Sequence, residues 1–92
     1  MELLTEAEIT ARLGDLTAWH REGGAIVTTA TRADFRDALL FVGAVAFLAE
    51  AAGHHPDIAI AWNKVTLTLS THSAGGLTEA DFGLAGQISR LP

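Results

Sequence analysis

Three of the four histidines in this 92-residue chain, His54, His55 and His72, fall within a stretch of nineteen residues, with Glu50 just before them and Asp81 just after. Imidazole is the side chain whose ordinary pKa, about 6.5, lets it give or take a proton near neutrality. Carboxylates beside imidazoles orient them and favour their charged form. The set therefore points to general acid/base chemistry.

Other chemistries fit less well. With no cysteine at all, thiol nucleophiles, thiolate metal sites and disulfides are excluded together. Three histidines with two carboxylates invite a zinc or non-haem iron reading. The His-Glu-x-x-His spacing that makes such a reading specific is missing, and adjacent histidines rarely aim both rings at one ion. Ser70 and Ser73 lie near His72 but not in a Gly-x-Ser-x-Gly context. A plain surface loop is the bland reading of His54-His55, and simple helix capping that of Asp81.

The elements that position these residues follow from periodicity and punctuation. Thr5-Glu6-Ala7-Glu8 matches a capping box, which predicts a first helix to about Leu13, stopped by Gly14. Trp19 opens a strand that turns at Gly23-Gly24 into Ala25–Thr29, a first hairpin. Thr31 as N-cap, with Asp34 in the first turn, predicts a second helix from about Arg32 to Ala52. Its second half is apolar all round, which implies a further burying surface such as a like helix of another subunit. Gly53 ends that helix, and Pro56 keeps it from resuming.

Asp57–Trp62 and Val65–Ser70 read as a second hairpin turning at Asn63-Lys64, a register that sets His55 opposite His72. Glu50, four residues before His54, has the spacing to bond that ring. Thr78-Glu79-Ala80-Asp81 opens a third helix striped by Leu77, Phe82, Ala85 and Ile88. The order α-β-β-α-β-β-α predicts one α+β domain over residues 1–92, a four-stranded antiparallel sheet with helices on one face.

Composition narrows the partners. A formal charge of −5 with six scattered basic residues argues against nucleic acid. The twelve-residue apolar run Ala38–Ala49 is shorter than the roughly 20 residues that span a bilayer, and the opening residues do not read as a signal peptide. A soluble, cytoplasmic protein is expected.

Taken together, Glu50-x-x-x-His54-His55-Pro56, Trp62-Asn63-Lys64-Val65, Leu69-Ser70-Thr71-His72, Gly75-Gly76-Leu77-Thr78 and Asp81 form a pattern that resembles the pterin-4a-carbinolamine dehydratase family, also known in animals as a dimerisation cofactor of a hepatocyte transcription factor. The likeness continues more weakly upstream through Trp19 and Asp34-Phe35, and the hairpin at Gly23-Gly24 is shorter than in the animal members. The resemblance implies the same element order and a lyase that dehydrates 4a-hydroxytetrahydropterin to quinonoid dihydropterin in tetrahydrobiopterin recycling, with neither cofactor nor metal. It implies His54, His55 and His72 as the catalytic histidines, with Glu50 and Asp81 as their carboxylates. Ser70, Thr71, Pro56 and Trp19 are its expected substrate contacts, and a homodimer or homotetramer its expected assembly. A non-catalytic dimerisation or regulatory protein of the same fold, or action on another pterin such as a molybdopterin precursor, are the alternatives.

Overall fold

The computed structural model describes residues Met1–Pro92. Helix α1 spans Glu6–Gly14, strand β1 His20–Glu22, β2 Ala25–Thr31, helix α2 Phe35–Ala52, strand β3 Asp57–Ala61, β4 Lys64–Leu69 and helix α3 Glu79–Ser89, with one 3-10 turn at His72–Ala74. The strands form one antiparallel sheet in the order β1-β2-β4-β3. This is the expected α-β-β-α-β-β-α order.

Alternation along β4 turns Val65, Leu67 and Leu69 inward, and Ile26 of β2 faces Leu69 across the ladder. Against that face pack Ala38, Phe41, Val45 and Ala49 of α2, Phe82, Ala85 and Ile88 of α3, and Ile9 of α1. These helix residues recur at three- and four-residue intervals, the spacing of one helical face. The opposite sheet face carries Thr29 and Thr66, whose hydroxyls lie 3.2 Å apart. Helix α2 leaves Leu39, Leu40 and Phe47 exposed, and the edge strand β3 leaves Ile58 and Ile60 partly open. No helix is long and apolar enough to cross a membrane.

Three boundaries differ from the sequence expectation. Gly14 is the last residue of α1 and Asp15 caps it in a right-handed conformation, so no glycine-specific stop is used. Thr31 remains in β2, paired with Lys64, and the cap of α2 is Asp34, whose carboxylate accepts from the Asp37 N–H at 2.7 Å. Asp37 in turn accepts from the Ala33 N–H at 3.0 Å and from Arg32 at 3.1 Å, and these partners hold its carboxyl below the usual range.

The third difference is a shift of the second hairpin. Ala61 faces Lys64, so the turn is Trp62-Asn63. Trp62 takes the left-handed conformation, at φ 55°, although asparagine accepts it more readily. Asn63 is committed elsewhere. Its side-chain amide donates to the Arg32 carbonyl at 3.0 Å, and its own carbonyl accepts from the Arg32 N–H at 2.7 Å, which ties the hairpin tip to the β2–α2 connection. The ladder pairs Asp57 with Thr68, and extending it places His55 level with Ser70 rather than with His72.

Candidate active site

The histidines are delivered by two chain turns at one end of the sheet. Gly53, at φ 63°, caps α2 in the left-handed conformation, a geometry glycine adopts without a Cβ clash. The chain leaves as His54-His55-Pro56 and enters β3. Across the sheet end, β4 gives way to Ser70, Thr71 and the 3-10 turn that begins at His72. That turn closes where Thr71 and Gly76 pair, with Gly75 at φ 77°.

Between these turns lies an open cleft of about 270 Å³, lined by Gly53, His54, His55, Ser70, Thr71, His72 and Ser73. It sits just below the roughly 300–1,000 Å³ of ordinary small-molecule sites, and no hydrophobic residue lines it. The two turns thus bring all three expected imidazoles to one concavity.

Two of the rings are bonded to carboxylates, in a different pairing from the one the spacing predicts. His54, not His55, is the inner ring. Its Nε2 lies 2.6 Å from Oδ1 of Asp81, and the Asp81 side chain is completely buried. Glu50 bonds His55 instead, at the solvent-facing rim. The reason is geometric: Gly53 reverses the chain, so His54 is turned toward α3 and His55 is the ring that meets the last turn of α2. His72 is exposed and has no carboxylate partner.

Asp81 also does what the capping motif predicts. It is the third residue of α3, and Oδ2 accepts from the Thr78 N–H at 2.8 Å while the Thr78 hydroxyl caps the first turn. The second oxygen is thereby left for His54. The positive end of the helix favours negative charge at this position. Helix cap and imidazole partner are alternative readings of Asp81 in the sequence; in the structure one carboxylate makes both contacts.

The remaining expected contacts separate. Ser70 borders the cleft and is half-buried, and Pro56 follows His55 without lining it. Thr71 is buried, with its hydroxyl 2.8 Å from Oδ2 of Asp81 and 2.8 Å from the Thr78 hydroxyl. Trp19 stands apart. It is 5% exposed, its indole N–H donates to Ser89 at 2.9 Å, and it borders a different cleft with Arg32, Phe41 and Ile88. In the sequence Thr78 reads as a helix cap alone. Its link to Thr71 and Asp81 requires knowing that the Thr71–Gly76 bridge folds residue 71 back onto residue 78.

An inner histidine held by a buried carboxylate, beside two histidines open to solvent, can exchange protons with a polar ligand in the cleft. No three His, Asp or Glu side chains are arranged to share a metal ion.

Comparison with known proteins adds a family to this geometry. Residues 2–91 match the family model described as pterin 4 alpha carbinolamine dehydratase. A protein of Roseiflexus castenholzii, provisionally named pterin-4-alpha-carbinolamine dehydratase, is 62% identical over 97% of this chain and 96% of its own. The crystal structure of a transcriptional coactivator/pterin dehydratase from Brucella melitensis superposes with a TM-score of 0.89 at 36% identity, covering 94% of each chain. A pterin dehydratase-like protein identified as a RuBisCO assembly factor in the alpha-carboxysome shares the fold, with a TM-score of 0.65 at 24% identity over 77% of this chain and 84% of its own.

Proposed function

Since the chain belongs to the pterin 4 alpha carbinolamine dehydratase family, we propose that it dehydrates a 4a-hydroxytetrahydropterin to quinonoid dihydropterin and water, in the recycling of the tetrahydropterin, by histidine acid/base catalysis. One observation carries the reading: three imidazoles share a single polar cleft, one of them anchored by a buried carboxylate.

The reaction breaks the C4a–O bond and removes a proton from the adjacent ring nitrogen. An imidazolium protonates the departing hydroxyl, a neutral imidazole accepts the nitrogen's proton, and the products are water and a new C=N bond. No electrons are gained or lost, so the step needs neither a redox partner nor a cofactor. His54 and His72 approach the cleft from the two different turns and are the acid/base pair, each worth about 10²–10⁴ in rate. His55, with Glu50 at the rim, binds substrate, and Ser70 borders the bound ring.

The test is dehydration of synthetic carbinolamine followed spectrophotometrically. His54→Ala and His72→Ala each lose about 10²–10⁴ in kcat; wild-type rates in both variants would reject the pairing. Assembly as a homodimer or homotetramer belongs to the same reading, supported by the exposed Leu39, Leu40 and Phe47 of α2. Sedimentation as a monomer at micromolar concentration would remove it.

A further inference from the structure

The groups that fix the inner histidine, Asp81, Thr71 and Thr78, are themselves buried. Oδ2 of Asp81 accepts from the Thr78 N–H and from the Thr71 hydroxyl, both at 2.8 Å, while Oδ1 meets His54 Nε2. The Thr71 hydroxyl has one proton and gives it to Asp81. Its 2.8 Å contact with the Thr78 hydroxyl is therefore filled by the Thr78 proton. Sδ of Met1 lies 2.9 Å from the same Thr78 oxygen, but a thioether is the weaker acceptor, so the Thr71 oxygen takes the proton. A directed chain results, from the Thr78 hydroxyl through the Thr71 hydroxyl to the carboxylate.

The rest of Thr71 is committed too. Its N–H donates to the Gly76 carbonyl at 2.9 Å, and its carbonyl accepts from the N–H groups of Ala74 and Gly75 at 3.0 Å each. Thr71 thus has every polar group engaged inside the protein, although it borders the cleft. A substrate contact would need one of them free.

We propose that Thr71 and Thr78 are positioning residues: their hydroxyl chain holds the Asp81 carboxylate in one orientation, which keeps His54 protonated on Nε2 and leaves Nδ1 as the proton acceptor. The inference rests on the dehydratase reading for its kinetic consequence, but not for its structural one. A carboxylate with both oxygens filled from fixed directions cannot rotate toward the other ring nitrogen without breaking two buried hydrogen bonds.

Two measurements on the full chain test it. In carbinolamine dehydration, Thr71→Val lowers kcat about tenfold to hundredfold with KM unmoved, and Thr71→Ser restores most of the rate. In nitrogen-15 NMR of the neutral imidazoles, wild-type His54 shows one tautomer, with the proton on Nε2, and Thr71→Val shows a mixture. A raised KM with unchanged kcat would make Thr71 a substrate contact and overturn the proposal. A lowered melting temperature with unchanged kcat and unchanged His54 signals would reduce the chain to scaffolding. Wild-type His54 carrying its proton on Nδ1 would overturn it whether or not any variant folds. If the wild-type protein dehydrates no carbinolamine, the functional reading fails, and the tautomer measurement alone still decides the positioning role.

Discussion

His54 and His55 are adjacent, each bonded through Nε2 to a carboxylate, yet the two pairs sit in different media. In the inner pair the side chains are 15% and 0% exposed; in the outer pair, His55 with Glu50, they are 64% and 76% exposed. Water screens the outer pair, and exposed ion pairs contribute about 0–1 kcal/mol. The inner pair gives up hydration, a cost offset only if the remaining lone pairs are satisfied. Thr71 and Thr78 satisfy them. The same two functional groups, one residue apart in sequence, therefore serve as a fixed support in one place and an adjustable rim in the other.

The comparison is most directly broken at Asp81. Asp81→Asn keeps the shape but removes the acceptor charge facing two donors and a ring. It lowers kcat by about 10²-fold and destabilises the fold by about 1–3 kcal/mol in urea unfolding. Glu50→Gln, the matching change at the rim, costs less than about 1 kcal/mol and changes kcat by less than about fivefold. Equal losses in the two variants would mean that burial does not separate the pairs.

A smaller effect sharpens the contrast at a third carboxylate. Asp37 is held below its ordinary value of 3.8 first by the Ala33 N–H and then by Arg32. A depressed carboxyl stabilises the fold above its unfolded value, and that contribution is lost as pH falls through the native one. The melting temperatures of wild type and Asp37→Asn therefore differ modestly at neutral pH and converge as pH drops below 3.8. Curves that stay parallel down to low pH would remove this role for the charge.

Local signals carried much of this into the sequence. The capping boxes at Thr5/Glu8 and Thr78/Asp81, the left-handed Gly53 and the inward alternation of Val65, Leu67 and Leu69 all act within a few residues, and all stand in the structure where the pattern puts them. The misses came where a distant partner outweighed local preference. Asn63 has the better turn chemistry, but Arg32 claims both its amide and its carbonyl, so Trp62 takes the strained position and the hairpin register moves. Thr31 is a sound cap by type, yet pairing with Lys64 keeps it in the sheet and Asp34 takes over. The gathering of three histidines was legible because two chain turns meet at one sheet end. Which carboxylate serves which ring was not, because Asp81 reaches His54 from a helix that begins some two dozen residues later.

The opening turn of α3 is stitched by one oxygen of the carboxylate whose other oxygen holds the inner ring. Fraying there need not unravel the molecule, because Phe82, Ala85 and Ile88 anchor the helix farther along. Warming should therefore silence turnover some degrees before the sheet comes apart, with that one loosened coil acting as a fuse.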